Sequence, residues 1–196
     1  MVFYNYTMFL VLVGNYCFIS IMKVDKQTWE SKLNNLHTRV KGITSEHQID
    51  YPNLLKKVFI GKKIVDIGCG TTWLKKLLPK DTIYYGIDAF KLPEHLPWEV
   101  INEKIEEIDL NFYSEKVDTA FIFAALDGME NLEIAFKKIK QISSKNIVIL
   151  TGINIEPDIY HTHLITEDFL DQQMEGWKKT LRVQVHPKII FLEYTK

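Results

Sequence analysis

The stretch "KKIVDIGCGTTWLKKLLPKDTIYYGIDAF", Lys62 to Phe90, decides the fold. Ile64, Val65 and Ile67 form a short strand-like run that breaks at Gly68 and Gly70. A helical segment over "TTWLKKLL" follows and stops at Pro79, and "TIYYGID" then reads as a second strand closing on Asp88. Strand, glycine turn, helix and strand in this order are the opening of an open α/β sheet. Ligands of such sheets bind outside the carboxyl ends of the strands, where a helix N-terminus offers free N–H groups and a positive dipole end.

Gly68 and Gly70 sit at that junction, and glycine removes the Cβ that would hold a ligand away from the main chain. Asp88 stands twenty residues beyond Gly68, where a carboxylate can accept from both hydroxyls of a ribose. A nicotinamide or flavin dinucleotide requires a third glycine for close helix packing, and that position is Trp73. A phosphate-cradling P-loop is excluded because no Gly-Lys-Ser/Thr run follows the turn. What remains is an adenosine cofactor without a pyrophosphate.

Outward from this stretch, Trp29, Leu33, Leu36 and Val40 recur at helical spacing, and "KGITSEHQIDYP" reads as a polar connection. Pro52 starts a helix through "NLLKKVF", which Gly61 is expected to close. Further strands are expected at "EVINEKI", "VDTAFIFAA", "KNIVILTGI", "TLRVQV" and "KIIFLEYT". Leu132, Ala135, Phe136, Ile139 and Ile142 give an amphipathic helix between two of them, and "TEDFLDQQMEGW" a later one. Alternating strands and helices imply an α/β fold with a mostly parallel sheet covered by helices on both faces. The last two strands lie too close for a helical crossover, so they form an antiparallel hairpin, with His186 and Pro187 as its turn.

The 196 residues suffice for one core, and 24 basic against 25 acidic residues leave a net charge of -1. No global positive field draws such a protein to phosphate backbones, so nucleic acid is disfavoured as a partner. Two cysteines, Cys17 and Cys69, give no disulfide framework or multi-cysteine metal site and fit a reducing compartment. The apolar extension over residues 1–21 lacks the basic region and cleavage site of a signal peptide. It reads either as a membrane anchor flanked by Lys23 and Lys26 or as sequence ahead of a true start at Met22. The second reading is preferred, giving a cytoplasmic enzyme; membrane association depends on residues 1–21 being part of the working protein.

"VDIGCGTTWLKKLLP", "YYGIDAF" and "VDTAFIFAALDGMENLEIAFKKIKQI" together resemble class I S-adenosylmethionine-dependent methyltransferases, from about Asp50 to the C-terminus. The resemblance implies a Rossmann-like methyltransferase fold of seven strands with the last antiparallel, and S-adenosyl-L-methionine as cofactor. It divides the chain into the extension, N-terminal helices over residues 22–60 that form part of the cleft, and a methyltransferase core over residues 61–196. It implies that Asp66, Gly68, Cys69 and Gly70 enclose the methionine part, that Asp88 binds the ribose and that Ala89 and Phe90 lie near adenine. The segment Ala124 to Asp127, with Leu126, is implied to run beneath the sulfonium. Cys69 itself reads as a small packing residue. Two departures stand out: Thr72 replaces the family's third glycine, and the acid that binds the adenine amino group is open between Glu103 and Glu106, with Lys104 at the family's usual position.

The cofactor carries the reactivity of methyl transfer, and the protein holds donor and acceptor in line. An oxygen or nitrogen acceptor also needs a base, and "EPDIYHTHLITEDFL" offers Tyr160, His161 and His163 after the fifth strand. His47 and Tyr51 precede the first strand as a candidate lid. No metal site is expected. With little chain beyond the core and no base-methylating signature after the fourth strand, a small-molecule acceptor is the economical reading. A noncatalytic methyltransferase-like binding protein and a membrane-associated partner protein are the alternatives.

Overall fold

The computed structural model describes residues 48–92, 95–110, 116–158 and 161–196. The apolar extension, the expected helix through Val40, His47 and Tyr160 lie outside the described residues. Among the described residues seven strands form one sheet: β1 (Lys63–Ile67), β2 (Ile83–Ile87), β3 (Val100–Ile101), β4 (Val117–Phe123), β5 (Ser143–Gly152), β6 (Lys178–His186) and β7 (Ile189–Thr195). Their order is β3-β2-β1-β4-β5-β7-β6. The first five run parallel, and β7 is antiparallel to both of its neighbours, β5 and β6.

Both faces of this sheet are covered, which is why its central strands read as unbroken apolar runs. Side chains alternate across the sheet, so Val65, Ile67, Ile122 and Ile149 join one core cluster while Ile64, Phe121, Phe123 and Val148 join the other. The first cluster is closed by α2 (Leu132–Ile142), whose Leu132, Ala135, Phe136, Ile139 and Ile142 are all buried, and by Leu170 of α3 (Glu167–Gln173). The second takes Tyr51, Leu54 and Leu55 of α1 (Tyr51–Leu55), together with Trp73 and Leu74. Each Leu, Ile, Val or Phe among them, fully buried, contributes about 1.5 to 3 kcal/mol.

Four local expectations are corrected. Helix α1 ends at Leu55 and Gly61 does not close it; Gly61 sits instead against Asp118, where a Cβ would come 2.0 Å from the Asp118 Cβ. After the glycine turn, only a 3-10 helix forms, Trp73–Leu77, because Thr72 takes a left-handed conformation (φ 55) that delays any helical start until just before Pro79. The third strand shrinks to two residues. The hairpin is present, but His186 belongs to β6, so the turn is Pro187 and Lys188.

A buried polar network at the amino end of the sheet fixes the chain as it approaches β1. Asn146 donates to the Phe59 carbonyl at 2.8 Å and to Glu193 at 2.9 Å, and Glu193 accepts the Phe59 N–H at 3.0 Å. Thr119 donates to Asn146 at 2.6 Å and accepts from the Gly61 N–H at 3.1 Å. Among the described residues no helix is long and apolar enough to cross a membrane.

Candidate functional site

Where β1 ends, Gly68 (φ 70), Gly70 (φ 50) and Thr72 turn the chain through three left-handed residues in five. The Gly68 and Cys69 N–H groups donate to the Ile87 carbonyl at 2.7 and 3.2 Å, which ties this turn to the end of β2. Gly68 is required twice over, by its angle and because a Cβ there would lie 2.3 Å from the Ala125 Cβ. Cys69 points inward: a Cβ on Gly86 would meet its Sγ at 2.8 Å, and burial followed by the nearby Asp66 and Asp88 carboxyls pushes the thiol well up. Its side chain packs, leaving only its backbone at the turn.

Asp88 follows β2 directly and is 8% exposed. Its carboxylate is clamped from two sides, Gly70 donating its N–H to Oδ2 and Phe90 donating its N–H to Oδ1, each at 2.8 Å. Burial raises its pKa, and the Phe90 and Gly70 N–H groups oppose that rise. An ionised carboxylate has about four acceptor positions, so with one donor on each oxygen among the described residues, each keeps one for a further donor. Ala89 is exposed and Phe90 half-buried beside it.

His95 and Asn102 complete this edge, and neither stood out in the sequence. His95 Nε2 lies 2.6 Å from the Gly70 carbonyl, which can only accept, so this nitrogen carries the proton. Its Nδ1 accepts from Asn102 Nδ2 at 2.7 Å and from the Leu92 N–H at 3.3 Å. Asn102 Nδ2 also donates to the Phe90 carbonyl at 3.1 Å. Asn102 is the residue immediately after β3, next to Glu103, one of the acids considered for the adenine amino group. Glu106 serves elsewhere, accepting the Glu130 and Asn131 N–H groups at the start of α2 at 2.7 and 3.2 Å, while Lys104 pairs with Glu130 at 2.9 Å. Glu103 is exposed.

Asp66 is buried on β1, where the Tyr84 hydroxyl donates to it at 2.8 Å. Burial raises its pKa to about 7, with the Tyr84 bond lowering it and Asp88 adding to the rise. The cluster on that sheet face includes Tyr51 and Trp73, ring centroids 4.6 Å apart, and Phe123 at 6.0 Å from Tyr51. Thr71, between Gly70 and Thr72, is also buried, and among the described residues its hydroxyl has no hydrogen-bond partner. A buried polar atom without a partner is uncommon enough to call for an explanation.

After β4, Ala124 is exposed with φ 52 and donates its N–H to the Leu150 carbonyl at 2.8 Å. Leu126 is fully buried, so it contributes backbone here and its side chain belongs to the core. The segment after β5 is stitched onto this one: Thr162 donates to the Asp127 carbonyl, and His163 Nε2 donates to the Met129 carbonyl at 2.7 Å. His161 Nδ1 lies 3.0 Å from Asp158 Oδ1, which also accepts the His161 N–H at 2.7 Å. His161 and His163 therefore stand beside the post-β4 segment, at the same sheet edge as the glycine turn. Among the described residues no group of three metal-ligating side chains is arranged to hold an ion. A pocket lined by Ile60, Gly61, Lys62, Pro79, Asp81 and Thr82 opens at the opposite, amino end of β1 and β2, away from these groups.

No protein-family model matches this chain, and no curated protein matches it. Solved structures do. A S-adenosylmethionine-dependent methyltransferase from Aquifex aeolicus is similar with a TM-score of 0.61 at 15% identity, over 84% of this chain and 97% of that one. The 1,6-didemethyltoxoflavin-N1-methyltransferase of Burkholderia thailandensis, solved with 1,6-didemethyltoxoflavin and S-adenosylhomocysteine, is similar with a TM-score of 0.64 at 13% identity, over 87% of this chain and 84% of that one. A plantazolicin methyltransferase in complex with a monoazolic desmethylPZN analog and S-adenosylhomocysteine gives a TM-score of 0.60 at 16% identity, over 87% and 90%. The chain thus has the Rossmann-like fold of class I S-adenosylmethionine-dependent methyltransferases.

Proposed function

We propose that this protein binds S-adenosyl-L-methionine and transfers its methyl group to an oxygen or nitrogen of a small-molecule acceptor, in the cytoplasm. The observation that carries the reading is Asp88, clamped at the carboxyl edge of the sheet with one acceptor position open on each oxygen. That is the arrangement two ribose hydroxyls require. The partnerless Thr71 hydroxyl supports it, as a polar atom held ready in the glycine turn. So does the use made of relatives of the same fold, two of which were solved with S-adenosylhomocysteine bound.

When bound, the cofactor would supply a methyl group on a positively charged sulfur. The chain's own residues do the rest. Asp88 would hold the ribose, the Gly68 to Gly70 backbone and Asp66 the methionine end, and Ala89 and Phe90 the adenine side. Ala124 and the backbone around Leu126 would floor the cleft between cofactor and acceptor. An acceptor O–H or N–H must lose a proton, and His161 is the better placed of the two histidines to take it. With Nδ1–H turned to the Asp158 carboxylate, His161 keeps a lone pair on Nε2 and has a negative charge beside it to steady the imidazolium that forms; His163 keeps its lone pair on Nδ1, but its Nε2–H faces only a neutral backbone carbonyl.

Thermal unfolding in the presence of S-adenosylhomocysteine and, separately, NAD tests the reading. Ligand at a hundredfold excess over its dissociation constant adds about 2.7 kcal/mol, a rise of roughly 5 to 10 °C for a chain this size. A rise with S-adenosylhomocysteine alone is expected. Asp88→Ala, folded, should weaken its binding by about 1.5 to 3 kcal/mol, the scale of charged hydrogen bonds. No rise in the unaltered protein would turn the assignment toward a fold without the activity.

A further inference from the structure

Gly70 and Phe90 each face two ways. Their N–H groups hold the two oxygens of Asp88, while their carbonyls are held by His95 at 2.6 Å and by Asn102 at 3.1 Å. Asn102 closes the circuit by donating its second amide hydrogen to His95 Nδ1 at 2.7 Å. Both amide hydrogens of Asn102 are therefore engaged, and the imidazole has one arrangement that satisfies every partner: Nε2 donating, Nδ1 accepting. His95 is 6% exposed, so water offers little replacement for these partners. Gly70, at φ 50 and without a side chain, is the element of this edge that most needs such support.

We propose that His95 and Asn102 are positioning residues for the ribose-binding carboxylate: they fix the backbone of Gly70 and Phe90, and through it the direction in which Asp88 presents its open acceptor positions. The inference rests on the cofactor reading above. Neither side chain needs to touch the cofactor. Losing the His95 donor leaves the Gly70 carbonyl unpaired and frees the turn to rotate, which costs Asp88 one of its two clamps.

Calorimetric titration with S-adenosylhomocysteine tests this, using His95→Ala, His95→Gln and Asn102→Ala, each alone and combined with Asp88→Ala. His95→Ala and Asn102→Ala should each weaken binding about tenfold when Asp88 is present and less than about twofold when it is absent, the non-additivity expected of groups that act through one another. His95→Gln, which keeps an N–H donor toward Gly70, should recover most of the loss. Equal losses in both backgrounds, or no loss when Asp88 is present, would overturn the proposal. Nitrogen-15 NMR of the His95 ring in the unaltered protein gives a reading independent of how the variants fold. Protonated Nε2 with bare Nδ1 is expected; the opposite tautomer overturns the proposal. An unaltered protein that fails to bind S-adenosylhomocysteine defeats the cofactor reading and this inference together, whereas binding that the His95 and Asn102 variants leave intact defeats this inference alone.

Discussion

Burial raises the Asp66 carboxyl from its ordinary 3.8 to about 7, so between those pH values the folded protein keeps a proton that the unfolded chain has released. The stability this lends is complete below about pH 4 and is lost as pH climbs through about 7. Asp66→Asn, which keeps an oxygen for the Tyr84 hydroxyl but does not titrate, should gain on the unaltered protein by as much as about 4 kcal/mol over that window. Urea unfolding at pH 4, 6 and 8 measures the difference, and a difference independent of pH would remove the burial account. Asp66 and Asp88 were legible in the sequence because each closes or nearly closes a strand beside a glycine turn. His95, Asn102 and Thr71 were not. Their roles exist only where the ends of β1, β2 and β3 converge, and no local period or spacing encodes that meeting. Tyr84 left a faint signal, a tyrosine two residues before the Gly86 that pairs with Asp66.

Helix α2 shows how an element can be legible in its body and hidden at its end. Its apolar stripe was plain, and Asn131 caps it by accepting the Ile134 N–H at 3.0 Å. The Glu106 carboxylate, arriving from the segment after β3, accepts two further N–H groups just ahead of the first turn. A carboxylate there also faces the positive end of the helix dipole. Glu106→Ala should therefore lower stability by about 1 kcal/mol, with the unfolding midpoint in urea as the readout and little change in its slope. If the midpoint holds, the cap is a surface contact without energetic weight. The segment after the glycine turn was misread for a physical reason: "TTWLKKLL" has helical composition, but Thr72 is held in a left-handed conformation, and Pro79 leaves too few residues for a full α-helix.

At the scale of the whole molecule, a mostly parallel sheet with an antiparallel closing hairpin followed from the succession of elements, because strands alternating with helices pair in parallel and the last two strands lie too close for a crossover. What the succession could not reveal is the network of Asn146, Thr119, Glu193 and Phe59 that locks the first strand's approach to the last strand. A glutamate inside "KIIFLEYT" was its one visible trace. Replacing Asn146 by Ala leaves Glu193 and the Phe59 carbonyl short of a donor and should cost about 1 to 3 kcal/mol, read as a lower midpoint with an unchanged slope. An unaltered midpoint would mean that the network merely fills space. Strand β7 lies between β5 and β6 and supplies Glu193, so the piece that completes the sheet is synthesised about 130 residues after the strand it helps to anchor. At 5 to 20 residues per second, the nascent chain spends roughly 2 to 9 s with β5 complete but lacking its outer neighbour. During that interval the apolar edge is open to other chains and to chaperones, so the yield of folded protein in a cell should depend on how quickly translation delivers residues 189–195.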